Sequence, residues 1–97
     1  MAKGYWISCF RSLKDPERLA EYAKLAAPVM QAAGAKFLVR GVPAKVYESG
    51  LEQRTVVIEF ESVEKAIQAH DSPGYQAALR VLGDACERDL RIVEGLE

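Results

Sequence analysis

The sequence predicts an α+β fold in which a four-stranded antiparallel sheet carries two helices on one face. Three observations predict it. Strand and helix patterns follow one another in the order strand, helix, strand, strand, helix, strand; the connections are short; and the strands are apolar on both faces. Two helices cover only one face of such a sheet, so the other face requires a second subunit or a ligand.

The first half of the chain contains two strands separated by a long helix. Aromatic and β-branched residues predict a strand at residues 5–10. Asp15 is placed as the N-cap of the helix, and Pro16 occupies its first position, where a missing N–H costs nothing. Apolar residues then recur at three- and four-residue spacing until Gly34, which is expected to end the helix. Residues 36–40 form the second predicted strand.

The second half repeats the pattern with a broken helix. Residues 41–43, Gly-Val-Pro, predict a bulge or bend after the second strand. The third strand is predicted at 54–61, and Ser62 caps the helix that follows. Pro73 interrupts that helix, which predicts two pieces. Residues 88–94 form the last strand.

These elements fit the ferredoxin-like βαββαβ fold, with residues 1–97 as one domain. If Val56, Ile58 and Phe60 face the helices, the alternate residues of each strand face away from them. The residues expected on that uncovered side are Leu38, Arg40, Val57, Glu59, Arg91 and Val93, joined by Tyr5 or Trp6. Two such mixed faces meeting across a two-fold axis would bury their apolar part and leave a chamber lined by charges, so we expect a homodimer.

Charge and motifs exclude several classes of protein. Thirteen basic and fourteen acidic residues give a net charge of -1, which argues against nucleic acid or a membrane surface as a partner. The apolar run near the N-terminus is too short for a signal peptide or membrane segment, so we expect a cytoplasmic protein. His70 is the only histidine, and P-loop, GxGxxG and HExxH motifs are missing, so we expect no cofactor and no metal site.

Two charged residues and two aromatic residues are candidates for a site at the sheet. By strand alternation, Arg40 and Glu59 share the uncovered face. Arg40 is then the candidate anion anchor and Glu59 the candidate general base, although the two charges could simply neutralise each other. Tyr5 and Trp6 are the candidate aromatic contacts of a ligand.

His70 and Tyr75 flank the break in the second helix. For His70, the alternatives are a role in acid/base chemistry or ligand contact and that of a partly buried histidine bonded to the helix end. For Tyr75, they are a hydroxyl donor at the pocket mouth and a ring packed under the helix. The run His70-Asp71-Ser72 contains the residue types of a catalytic triad, but consecutive side chains point apart and form no relay.

Five short segments together resemble one family of small bacterial proteins, the domain-of-unknown-function 1330 family. They are Gly4-Tyr5-Trp6-Ile7, Arg40-Gly41, Val57-Ile58-Glu59-Phe60, Ser72-Pro73-x-Tyr75-Gln76 and Asp89-Leu90-x-Ile92-Val93-Glu94-Gly95. The resemblance implies a dimeric α+β barrel, in which two ferredoxin-like subunits appose their sheets. Relatives in that wider group include quinol and haem-degrading monooxygenases, muconolactone isomerases and stress-response proteins, with ligands between sheet and helices or between subunits.

The resemblance assigns no catalytic residue, because the family has no established reaction. The sequence also departs from the family pattern: His70 stands where Tyr is common, Gly74 where Glu is common and Leu82 where Arg is expected. We therefore expect a small-molecule-binding protein or cofactor-independent enzyme of the dimeric barrel type, with a pocket at the sheet face. The alternative is a non-catalytic homodimeric interaction or stress-related domain with a filled interface.

Overall fold

The computed structural model describes residues 2–96 and shows a four-stranded antiparallel sheet with three helices on one face. The elements are β1 (Gly4–Leu13), α1 (Pro16–Ala32), β2 (Lys36–Gly41), β3 (Thr55–Phe60), α2 (Val63–Asp71), α3 (Pro73–Leu82) and β4 (Cys86–Glu94). The strand order is β2-β3-β1-β4. The predicted ferredoxin-like fold is confirmed; the ends of the predicted domain, residues 1 and 97, lie outside the described part.

The pairing of β1 with β4 extends farther than the sequence pattern predicted. β1 pairs with β4 from Gly4 opposite Glu94 to Leu13 opposite Cys86, with one irregularity after Phe10. The end residues of both strands are too polar to be recognised as strand by apolar alternation alone. Backbone pairing with the neighbouring strand therefore sets these ends.

The helix ends follow the predicted capping residues. The Asp15 carboxylate accepts a hydrogen bond from the Arg18 N–H at 3.2 Å, and α1 continues through Pro28. Gly34 follows α1 in the left-handed region, with φ of +75°. The Ser72 hydroxyl donates to the carbonyl of the last turn of α2 and accepts from the Tyr75 N–H at 3.3 Å. Ser72 thus divides the second helix into α2 and α3, as predicted.

β2 contains a bulge at a position different from the predicted one. Phe37 lies opposite Ile58, but Val39 lies opposite Val57, so Leu38 is an extra residue without a partner on β3. An extra residue reverses the alternation of all that follows it in the strand. The sequence pattern placed the irregularity after the strand, at residues 41–43, because glycine and proline stand there.

The bulge moves one predicted site residue to the other face of the sheet. Arg40 lies opposite Val56, whose side chain is buried under the helices. The prediction that Arg40 shares the uncovered face with Glu59 was therefore wrong. Of the two aromatic alternatives, Trp6 lies on the helix-covered face and Tyr5 on the uncovered one.

The core lies between the helices and the covered face of the sheet. Its largest fully buried side chains are Trp6, Tyr75 and Phe60. α1 packs chiefly against α3, and its backbone approaches the sheet at few points. A space remains between α1 and the sheet as a result. None of the helices within residues 2–96 is long and apolar enough to cross a membrane.

Candidate ligand cavity

A cavity of about 100 Å³ occupies the space between α1 and the covered face of the sheet. Its lining residues are Trp6, Ser8, Phe10, Leu19, Tyr22, Ala23, Ala26, Ala27, Met30, Phe37, Arg40, Arg54, Val56, Ile58 and Arg88. We call this space the inner cavity. Most of the lining is aliphatic or aromatic, which is the usual composition of a small-molecule site.

Small residues on α1 create the room. Ala23, Ala26 and Ala27 line the inner cavity from the helix side, at the spacing that puts them on one helix face. Opposite them, β1 contributes Trp6 and Phe10. Larger side chains on α1 would fill the space, so the alanines are what leaves it open.

One polar atom inside the inner cavity has no partner. Ser8 is 1 % exposed, and its hydroxyl is the only buried side-chain oxygen or nitrogen in residues 2–96 without a hydrogen bond. An unsatisfied buried hydroxyl costs about 1–3 kcal/mol. A native protein keeps such a group most readily where a ligand or an ordered water forms the missing hydrogen bond with it.

Three arginines line the inner cavity, each stacked on an aromatic ring. The Arg88 guanidinium carbon lies 5.1 Å from the Tyr22 ring centre and 5.9 Å from that of Phe10. Arg54 lies 6.0 Å from the same Phe10 ring. Arg40, on the bulged strand, stacks at 5.3 Å over Phe37. These rings hold the guanidinium groups while leaving their N–H donors available.

The three arginines are not neutralised by acidic groups. Within residues 2–96, no carboxylate lies within 4.0 Å of Arg40, Arg54 or Arg88, and none lines the inner cavity. Other arginines of the chain do have acidic partners: Arg91 bonds to Asp89 at 2.9 Å and Arg18 to Asp84 at 3.2 Å. The cavity wall therefore carries an uncompensated positive charge.

A short hydrogen-bonded chain connects the inner cavity to the core. Arg88 donates to the Tyr75 hydroxyl at 2.9 Å, and the Tyr75 and Tyr22 hydroxyls lie 2.5 Å apart. Tyr75 is completely buried, and burial, with the neighbouring Tyr22, raises the pKa of Tyr75 far above its ordinary value. The Tyr75 hydroxyl therefore stays protonated.

The contacts of Tyr75 favour one direction for this chain, although either hydroxyl is close enough to be the donor. Arg88 can only donate, so the Tyr75 proton has one acceptor within reach, the Tyr22 oxygen. Tyr22 lines the inner cavity, and because its oxygen accepts from Tyr75 its own O–H is directed away from Tyr75. The inner cavity consequently presents donors from Tyr22, Ser8 and the arginines.

The structure brings together two of the three predicted ligand contacts. Trp6 and Arg40 line the inner cavity, whereas Tyr5 lies on the opposite face of the sheet. Tyr75, a predicted catalytic residue, is not part of the lining but reaches it through Tyr22 and Arg88. Its ring is buried against Trp6 and Tyr22 and its hydroxyl is hydrogen-bonded, which matches the alternative of a ring packed under the helix and not that of a donor at a pocket mouth.

Glu59 lies on the uncovered face and is held there by neighbours. The Tyr5 hydroxyl donates to one carboxylate oxygen at 3.0 Å, and the Lys3 ammonium lies 3.8 Å from the other. The bond to Glu59 raises the pKa of Tyr5. The predicted pairing of Glu59 with Arg40 does not occur, because the sheet separates them.

His70 lies at the end of α2, outside the lining of the inner cavity. Its ring packs against Trp6 at 5.7 Å and Tyr75 at 5.2 Å between centres. Its Nδ1 lies 3.0 Å from a carboxylate oxygen of Asp71. The geometry matches the structural alternative for His70, a partly buried histidine bonded at the helix end; a catalytic role stays an untested prediction.

Four important residues of the inner cavity were not predicted: Ser8, Tyr22, Arg54 and Arg88. Ser8 carried a signal, since it is the polar residue inside an otherwise apolar strand. The two arginines carried none, because basic residues at strand ends are ordinary on protein surfaces. Within residues 2–96, no cluster of three or more histidine, cysteine or acidic residues could hold a metal ion.

Comparison with known families gives one match over almost the whole chain. The model of the family described as Domain of unknown function (DUF1330) matches residues 3–96. A search of curated proteins gives no match.

Solved structures share the fold at low sequence identity. A protein of unknown function from Rhodopseudomonas palustris has 17 % identity and a TM-score of 0.76, over 99 % of this chain and 84 % of that one. A dimeric ferredoxin-like protein of unknown function from Thermobifida fusca has 16 % identity and a TM-score of 0.61, over 96 % and 91 %. SnoaB, a cofactor-independent oxygenase from Streptomyces nogalater, has 11 % identity and a TM-score of 0.67, over 100 % and 96 %. These similarities establish the ferredoxin-like fold.

Proposed function

Because this chain belongs to the DUF1330 family, whose function is undefined, we propose from its own geometry that it binds a compact, largely apolar organic molecule in the inner cavity. The observation that carries the proposal is the unpartnered Ser8 hydroxyl, buried in a cavity otherwise lined mainly by apolar groups. Such a combination supplies apolar contact and a few polar groups that orient the ligand.

The size of the inner cavity limits the molecule. An apolar cavity of about 150 Å³ takes up benzene, so about 100 Å³ suits a branched chain of a few carbons or a ring lying partly at the opening. The exposed side of Ala23 and Ala27 and the exposed Arg40 mark that opening. Larger groups would extend there toward solvent.

Filling the inner cavity tests this proposal. Ala26→Leu adds three carbon atoms to a buried lining residue of α1. In the wild type, isovalerate, isovaleramide, benzoate or benzamide should raise the melting temperature, and Ala26→Leu should abolish that rise. Ala20→Leu is the matched control, since Ala20 is exposed on the same helix outside the lining, and should keep it.

Two results would contradict the proposal. One is that none of the four compounds binds the wild type. The other is that they bind Ala26→Leu and Ala20→Leu equally well, which would locate binding outside the inner cavity.

A cofactor-independent enzyme of this type would place its chemistry in the same cavity. Tyr22 and Arg88 line it and could contact a bound molecule, while Tyr75 positions both. The same fold in SnoaB, a cofactor-independent oxygenase, supports this version of the proposal. His70 and Glu59 lie outside the lining and would need a partner subunit or a movement of the chain to contribute.

We also propose that two copies pair through the uncovered face, as the description of the Thermobifida fusca protein as dimeric supports. Apolar side chains of all four strands are partly exposed there: Val39 is 49 % exposed and Val93 47 %, with Ile7 and Val57 between them. Contiguous apolar surface of this kind is typical of an interface between subunits.

A single charge at the centre of the uncovered face tests the pairing. Val57→Asp should convert a dimer into a monomer in sedimentation equilibrium, because the aspartate would be buried without a partner. Leu25→Asp, at a half-exposed residue of α1, is the control and should remain dimeric. A wild type that is monomeric at high concentration, or a dimeric Val57→Asp protein, would contradict the proposal.

A further inference from the structure

We infer that the molecule bound in the inner cavity is an organic anion, and specifically a small carboxylate whose apolar part lies against the alanines of α1. This inference rests on the proposed function and names the chemistry of the ligand. Two features of the lining support it: hydrogen-bond donors outnumber the acceptors, and positive charges have no negative partners.

The polar groups of the inner cavity are donors in surplus. Arg40, Arg54 and Arg88 offer N–H groups and accept nothing. The Tyr22 proton is directed away from Tyr75, and the Ser8 hydroxyl has no partner. A neutral ligand would use one or two of these donors, whereas a carboxylate accepts about four hydrogen bonds.

The positive charge of the inner cavity also favours an anion as the ligand. Three guanidinium groups line it, and no described acidic side chain does. Arg88 is half-buried and its described hydrogen bond goes to the neutral Tyr75 hydroxyl, so its charge is without a counter-ion. A buried charge is stabilised when an opposite charge pairs with it, and the arrangement of two parallel N–H groups in a guanidinium matches a carboxylate.

The aromatic stacking indicates that the guanidinium groups are prearranged for this purpose. The guanidinium carbons of Arg54 and Arg88 lie 6.0 and 5.9 Å from the centre of the Phe10 ring, which brings two positive groups to one ring. Like charges near each other repel, and an anion between them would remove that repulsion. The carboxylate is therefore placed near Phe10, and the apolar part of the molecule extends toward Ala26 and Met30.

Matched pairs of acid and amide test the inference by isothermal titration calorimetry on the full chain. Isovalerate and benzoate should bind at least about tenfold more tightly than isovaleramide and benzamide, which have nearly the same shape without the charge. Equal affinity of acid and amide would overturn the inference while leaving the proposed function intact. Failure of all four compounds to bind would refute the proposed function itself.

Substitution of one arginine distinguishes the inner cavity from general attraction to a positive surface. Arg54→Gln should reduce the affinity for isovalerate about tenfold or more and leave that for isovaleramide nearly unchanged. Arg80→Gln is the matched control, since Arg80 is exposed on α3 outside the lining. Equal losses in the two variants would overturn the inference.

A second variant keeps the test independent of charge. Ser8→Ala should weaken isovalerate binding several-fold, because the carboxylate loses a donor that nothing else uses. Unchanged affinity in Ser8→Ala together with unchanged affinity in Arg54→Gln would place the anion elsewhere and contradict the inference.

Discussion

The two faces of the sheet differ in whether their charged side chains have partners of opposite charge. On the uncovered face two acidic groups at the strand pairings have basic partners: Glu59 lies beside Lys3, and Asp89 contacts Arg91 and Arg11. On the covered face, the three arginines of the inner cavity have no acidic partner among residues 2–96. A face with its charges already paired is suited to burial against a second copy, whereas a wall with surplus charge is suited to a ligand.

The largest difference between the faces should appear on truncation of their central side chains. Trp6 is 2 % exposed and packs on Phe60 and Tyr75, so Trp6→Ala should lower the free energy of unfolding by about 3–5 kcal/mol. Ile7, its neighbour on the uncovered face, is only half-buried in this chain, and Ile7→Ala should cost less. Urea denaturation at two protein concentrations measures both; equal losses would mean that the two faces are buried alike.

Removal of a tyrosine hydroxyl from each face should give a smaller contrast. Tyr22→Phe leaves the buried Tyr75 proton without an acceptor and should cost about 1–3 kcal/mol. Tyr5→Phe removes a half-exposed bond to Glu59 and should cost less, because water can replace the lost partner. Thermal unfolding of the two variants compares them directly, and a larger loss for Tyr5→Phe would show that the hydrogen-bonded chain of the inner cavity is unimportant for stability.

Ser8→Ala should stabilise the protein, in contrast to the substitutions described above, which should destabilise it. Because the Ser8 hydroxyl is buried without a partner, its removal should raise the free energy of unfolding of the unliganded protein by about 1 kcal/mol. Ser12→Ala is a control at a half-buried serine farther along the same strand. Destabilisation by Ser8→Ala in chemical denaturation would show that the hydroxyl is already satisfied in the unliganded protein.

The smallest effect should be a pH dependence that arises on the uncovered face. Hydrogen bonds from Arg91, with Arg11 nearby, lower the pKa of Asp89. A carboxyl group with a lowered pKa stabilises the folded state above its unfolded pKa, near 3.9, and this contribution is lost as the pH falls through the folded pKa. Asp89→Asn should therefore flatten the loss of stability below about pH 4.

Glu21→Gln provides the comparison for that pH profile. Glu21 is exposed on α1 and has no side-chain hydrogen bond or ion pair among the described residues. Melting temperatures between pH 2.5 and 7 for the three proteins, a range set around that ordinary carboxyl pKa, measure the effect. An Asp89→Asn profile that coincides with the wild-type profile would contradict the assigned role of Asp89.

Local signals predicted the elements well and the site only in part. Capping residues such as Asp15 and Ser72 act within one helical turn, so their effect is readable from the chain. The bulge at Leu38 has no such signal, because it arises from how two strands pair. That one extra residue separated Arg40 from Glu59 and invalidated the site predicted from alternation.

The sequence by itself determined the order of strands and helices, their caps and the existence of an apolar uncovered face, since these depend on residue spacing and on the area that two helices can cover. Only the tertiary structure decided that Arg40, Arg54 and Arg88 line one cavity together with the unpartnered Ser8 hydroxyl. These residues come from three strands and the loop before β3, and their meeting depends on strand register and on the distance between α1 and the sheet. Both are set by packing between segments far apart in the chain, which no local pattern records.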